Sequence, residues 1–199
     1  MLILIAASLP LLAFVFAGLF SPGPNVVMLT ASGARFGFHR TIPHLLGVPV
    51  GTGLIAAAMA LGVGAVLLAM PTLKLAFQIG AAAWIVWLAW RTAQAARARR
   101  AQDRGRPFTF VEAVLFQAVN PKIWAITLAA SAGFGIGLSP GTEALRLFAT
   151  FTAINLGVCL FWTTMGHGLR GLLASDQTWR VFMKIMALLM AGSAALIFI

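Results

Sequence analysis

The chain has 199 residues, 61% of them hydrophobic and only 9% charged, where an average soluble domain carries roughly 25% charged residues. With a mean hydropathy of +0.97, this composition excludes an ordinary water-soluble globule. It fits an all-α integral membrane protein of one domain, with about six spans of roughly 20 residues each joined by short loops. The net charge of +10 sits in connections between apolar runs, so the positive-inside effect explains it and nucleic acid is not an expected partner.

The first span is expected from about Leu2 to Phe20. Met1 to Ser8 contains no Lys or Arg, and no small-x-small site ends the run before Ser21, so the run reads as a retained span rather than a signal peptide. Ser21-Pro22-Gly23-Pro24-Asn25 then breaks the helix. Two prolines and a glycine free backbone groups that lipid cannot satisfy, which is tolerable only where protein or a watery cavity covers them. Gly23 can turn the chain, and Pro24 suits the first position of a new helix, leaving the amides of Val26 and Val27 unpaired at its positive end. The piece from Pro24 to about Phe36 either continues the span at a kink or dips back as a re-entrant half-helix. Arg35, His39 and Arg40 mark the first loop.

Span 2 is expected from about Pro43 to Met70. Its Gly47 and Gly51 lie four apart on one face, which serves either close helix packing or a backbone lining a substrate path. Pro71 marks a turn before span 3, about Leu73 to Trp90, where Trp90 beside Arg91 reads as an interfacial anchor. Residues 91–107 form a basic loop in which six arginines face one aspartate, Asp103. Span 4, about Phe110 to Phe134, is broken at Asn120-Pro121-Lys122, with Asn120 at the cap position and Pro121 restarting the helix. Gly133, Gly135 and Gly137 lead to a Ser139-Pro140-Gly141 turn without the strand that a dinucleotide fingerprint needs. Spans 5 and 6 run from about Ala144 to Met165 and Trp179 to Ile199, with Arg170, Asp176, Arg180 and Lys184 around the last loop.

Basic residues concentrate in the first, third and fifth loops, which places those loops, including 91–107, in the cytoplasm and both termini outside. A re-entrant first segment would put the N-terminus inside. Three spans per half, about 1–92 and 108–199, make the halves inverted repeats, with the breaks of spans 1 and 4 facing each other near mid-membrane.

Lys122 is the most informative charge. Ten helical residues from Glu112 at ~1.5 Å each put it about 15 Å deep, where an ionised lysine is costly and usually functional. It either meets a substrate carboxylate, or snorkels or pairs with a freed carbonyl. Asn25 and Asn120 either hydrogen-bond substrate or cap their own helices. His44 and His167, near span ends, read as interfacial. Asp103, Glu112, Glu143 and Asp176 all fall at ends or loops, so a carboxylate proton relay has no candidate unless span 4 starts early enough to bury Glu112. Without a Walker A motif, metal-ligand spacing among His39, His44, His167 and Cys159, or a nucleophile–base set, no enzyme activity, metal or cofactor is expected. The lone Cys159 excludes an intramolecular disulfide. Pro22, Gly23, Pro24, Asn25, Gly47, Gly51, Asn120, Pro121 and Lys122 form the candidate substrate site.

The apolar start, Ser21-Pro22-Gly23-Pro24-Asn25, the Gly47-xxx-Gly51 helix, Trp87-Leu88-Ala89-Trp90-Arg91 and Asn120-Pro121-Lys122 together resemble the LysE/RhtB amino-acid exporter family. The resemblance runs from about Leu11 to Ile197. It implies a bacterial inner-membrane secondary exporter of amino acids or their analogues, driven by an ion gradient, with homo-oligomers an option. Thr52 stands where family members often carry an acidic residue, and Ala125 where some arginine and lysine exporters have an aspartate. A basic side chain would need a buried counter-charge. A neutral substrate such as threonine, homoserine or leucine is therefore expected, its carboxylate at Lys122 and the helix ends. The rival readings are an exporter of another small solute (a cation or metabolite), a membrane-embedded enzyme and a non-transporting assembly protein.

Overall fold

In the computed structural model, residues 2–95 and 106–195 are described, so most of the expected basic loop lies outside the described residues. All regular elements among the described residues are helical. The prolines punctuate the chain as the sequence predicts. Helix α1 (Leu2–Phe20) ends at Ser21-Pro22-Gly23, and α2 (Pro24–Phe36) starts on Pro24. Likewise α6 (Phe110–Ala118) gives way to α7 (Pro121–Gly133), which starts on Pro121. The chain bends by 58° at the first break and by 65° at the second.

Several boundaries differ from expectation. Helix α3 (Phe38–Ala58) begins well before Pro43 and takes His39 and Arg40 into its first turn. Only Gly37 separates α2 from α3. Its φ of 84° lies in the left-handed region that glycine adopts without strain, and its N–H closes α2 onto the Gly33 carbonyl at 3.0 Å. A π-turn (Met59–Val63), kinked where Gly62 has φ 121°, joins α3 to α4 (Gly64–Ala69). Helix α5 (Pro71–Ala95) runs past Trp90 and includes Arg91. Ser139-Pro140-Gly141 is the capped start of α8 (Pro140–Gly168) rather than a free turn, because the Ser139 hydroxyl accepts from the Thr142 amide. After a short 3₁₀ turn, α9 (Asp176–Ser193) contains Lys184. At His39, Arg40 and Arg91, polar residues expected in loops are accommodated near helix ends.

Helix α3 is the centre of the bundle, packed against α8, α6 and α2. Helix α8 also carries α1 and α2, while α5 pairs with α9. Glycines set the closest approaches. A Cβ at Gly51 would lie 2.7 Å from Gln117 Cγ and 2.8 Å from the Val114 carbonyl of α6. Gly33 of α2 and Gly166 of α8 press onto each other's helix at the Thr163 and Thr30 carbonyls, with no room for any side chain. The largest cluster, around Leu11, Val15, Ile123, Leu147 and Phe151, lies where α1, α7 and α8 meet.

Among the described residues two helices, Phe38–Leu67 and Pro140–Gly168, are long and apolar enough to cross a membrane, and counting each bent pair as one broken span brings the number to four. Large apolar side chains such as Leu9, Leu61, Leu115 and Leu188 face outward, as a lipid-facing surface requires. At the end of α5, Trp90 is exposed and Arg91 lies over the Trp87 ring at 5.2 Å, the amphipathic pairing of a membrane interface.

Glu112 belongs to a helix start. Its carboxylate accepts from the Thr109 amide at 2.8 Å and from Arg106 at 2.7 and 2.9 Å, completing a capping box with Thr109. The hydrogen bond to Glu112 raises the Arg106 guanidinium pKa above its ordinary value. Glu112 is half-buried and committed to Arg106 and the helix cap, which is the role of a helix start rather than of a free proton carrier.

Candidate functional site

The two breaks meet, and they do so reciprocally: the start of α7 touches the end of α1, and the start of α2 touches the end of α6. In the first crossing Lys122 reaches back over the Ser21-Pro22 turn. Its ammonium donates to the Ser21 carbonyl, to Ser21 Oγ at 2.8 Å and to the Pro22 carbonyl at 3.3 Å. An ammonium has three donors, and all three rest on the broken end of α1. There the helix leaves carbonyls unpaired at its negative pole, where a cation is favoured. Of the two readings of Lys122, this structure realises the freed-carbonyl pairing. Gly23 makes room for the lysine: a Cβ there would lie 2.8 Å from Lys122 Cδ and 3.0 Å from Nζ.

In the second crossing Asn25 and Gln117 exchange both amide hydrogen bonds. Asn25 Nδ2 donates to Gln117 Oε1 at 2.8 Å, and Gln117 Nε2 donates to Asn25 Oδ1 at 3.2 Å. Gln117 Nε2 also donates to the Ala113 carbonyl at 3.0 Å, and Asn120 Nδ2 reaches Gln117 Oε1 at 3.4 Å. Gln117 is fully buried and joins the two breaks. Asn120 does occupy the cap position of α7, yet its side chain makes no capping bond there; Gln117 takes it instead. The Val27 amide, expected to be free, donates to the Gly23 carbonyl at 3.1 Å as the first bond of α2. The orphan donors at this end are those of Asn25 and Val26, because Pro24 has none.

Between the crossings lies a narrow cavity with room for about one water molecule. Gly23, Pro24, Asn25, Asn120 and Lys122 line it from the breaks, Leu19 and Leu29 from α1 and α2, and Asn155, Val158, Cys159 and Trp162 from α8. Two polar atoms on this lining, Asn120 Oδ1 and Trp162 Nε1, are buried and have no partner. Asn155 is engaged on both sides, donating to Thr52 Oγ1 at 2.9 Å and accepting from the Cys159 thiol at 3.5 Å. Thr52 itself donates to the Val48 carbonyl at 2.8 Å.

Of the remaining candidates from the sequence, Pro22 supplies a carbonyl to Lys122 and Pro121 is buried at the start of α7. Gly47 and Gly51 are not on the cavity lining; they seat α3 on α6 and so fix where Gln117 stands. Sequence reasoning missed Gln117, Asn155 and Trp162. For Gln117 and Asn155 the available signal was a carboxamide within an apolar helix, which is costly unless paired. His44, expected near a span end, is buried within the protein against the Phe108 ring at 5.2 Å. Among the described residues no group of three or more His, Cys, Asp or Glu could hold a metal ion.

Apolar helices on a scale to cross a bilayer, two of them broken and meeting at their breaks over a small internal cavity, define the class of a multi-pass membrane translocator. The protein-family model described as LysE type translocator matches residues 16–199, and the chain belongs to that family. Neither a curated protein nor a solved structure matches it.

Proposed function

We propose that the chain is a secondary exporter of small neutral amino acids or their analogues, of the threonine, homoserine or leucine kind, across the bacterial inner membrane. The observation that carries this reading is the reciprocal meeting of the two breaks, with Lys122 at the cavity and polar atoms on its lining without partners. The packing supports six spans in two inverted repeats: α1 with α2, α3 with α4, and α5, against α6 with α7, α8 and α9. Under exchange of the halves, the α3–α8 and α5–α9 pairs map onto themselves and α1–α8 maps onto α6–α3, all of which are in contact. Loop 91–107 faces the cytoplasm in this arrangement.

The substrate carboxylate meets Lys122 and the orphan amides of Asn25 and Val26. Because the ammonium donors already rest on Ser21 and Pro22, a carboxylate that reaches Lys122 takes the place of those oxygens and loosens the end of α1. Binding is thereby tied to movement at the break, as alternating access requires. A space that holds about one water is a closed state, so admitting an amino acid separates the two crossings. No carboxylate is on the lining, which leaves a cationic side chain without a counter-charge. The nearby ammonium likewise disfavours a bare cation as cargo.

The test is efflux of preloaded labelled amino acids from cells expressing the chain, with and without an uncoupler. Uncoupler-sensitive loss of one or two neutral amino acids is expected. Retention of the whole panel despite confirmed membrane insertion would reject the proposal.

A further inference from the structure

The hydrogen bonds around Gln117 fix the polarity of the site. The Ala113 carbonyl can only accept, so the nitrogen of the Gln117 carboxamide faces it. Gln117 Oε1 is then the shared acceptor, and both Asn25 and Asn120 must present their nitrogens to it. Asn25 Oδ1 is used by the second N–H of Gln117. Asn120 Oδ1 is left over: an acceptor without a partner, on the cavity lining, in a side chain only 1% exposed. A buried acceptor without a donor costs free energy that a ligand donor recovers.

We propose that the Asn120 carboxamide oxygen accepts a hydrogen bond from the primary ammonium of the transported molecule, with Gln117 as the positioning residue that turns that oxygen into the cavity. This rests on the amino-acid reading above and adds a requirement to it: the cargo needs a free α-ammonium group. A lone cation is opposed by Lys122, two residues along the same helix start. The ammonium of a zwitterion arrives with its own carboxylate, which Lys122 attracts, so the paired charges fit where either alone does not. Trp162 Nε1, a donor without a partner on α8, gives the lining the mixed acceptor and donor character that a zwitterion matches.

The experiment is counterflow in proteoliposomes containing the purified full chain, with labelled threonine, homoserine or leucine as probe. The competitors are the same amino acid, its N-acetyl derivative and its 2-hydroxy acid, each lacking a free ammonium in the last two cases. Wild type is expected to reject both ammonium-free competitors. Asn120→Ala raises the half-saturating concentration about tenfold or more and narrows the gap between amino acid and ammonium-free analogue by the same factor, the scale of one hydrogen bond to a charged group. Gln117→Leu, which removes the acceptor that holds the Asn120 nitrogen, loses the discrimination as well. Full discrimination in Asn120→Ala, or in Gln117→Leu, overturns the assignment while the amino-acid reading stands. Absence of counterflow by wild type with all three probes overturns that reading and this assignment together.

Discussion

Replacing Lys122 by methionine is expected to reduce export to below about a tenth of the wild-type rate, with insertion into the membrane intact. Methionine keeps much of the lysine stem's bulk beside Gly23 but removes the ammonium that binds Ser21 and Pro22. Two part-buried carbonyls at the broken end of α1 then lose their donor, each at a cost of up to about 1–3 kcal/mol where water does not replace it. The proposed substrate carboxylate would lose its cation as well. Lys122→Arg separates the two effects. Its charge still satisfies carbonyls, so it is expected to be more stable than Lys122→Met, but a planar fork does not reproduce three donors on one nitrogen. Normal efflux from Lys122→Met, with comparable amounts of protein in the membrane, would show that the ammonium has no part in transport.

The second large effect is on stability. Gly166→Ala is expected to destabilise the bundle by about 1–3 kcal/mol, the range of core overpacking. The added methyl meets the Thr30 carbonyl of α2, which is backbone and cannot rotate away. The reciprocal contact at Gly33 keeps the two helices from sliding apart. Gly157, on the same helix, has nothing within 4 Å of its added Cβ. Gly157→Ala is accordingly expected to be neutral or stabilising by about 0.5–1 kcal/mol through helix propensity alone. Thermal aggregation of the detergent-solubilised variants distinguishes them: a lower midpoint for Gly166→Ala and none for Gly157→Ala. Equal midpoints would contradict the close α2–α8 crossing.

The features most legible in the sequence were those written in backbone chemistry. Proline removes a donor and fixes φ wherever it stands, so Pro24 and Pro121 announced helix starts in an apolar chain without reference to any neighbour. Lys122 stood out because a charge in an apolar span needs a reason. Helix ends were harder to place. Near a membrane surface polar residues continue a helix as readily as they end it, which is why His39 and Arg40 lie inside a helix. The amide exchange between Asn25 and Gln117 was invisible for a different cause. It joins residues 92 positions apart, and only the two bends bring them together. The same holds for Gly47 and Gly51, whose spacing announced a close approach but not that α6, and with it Gln117, was the partner.

If substrate enters the space between the breaks, as proposed, Cys159, the single cysteine of the chain, reports on that space directly. It is buried and lines the cavity, so a small maleimide reaches it only when the crossings part. The decisive measurement is the rate of Cys159 labelling in proteoliposomes with and without a saturating exported amino acid. Slow labelling is expected, changed severalfold by the transported amino acid and unchanged by a non-transported one. An identical rate with and without an amino acid that the same vesicles transport would place the path elsewhere.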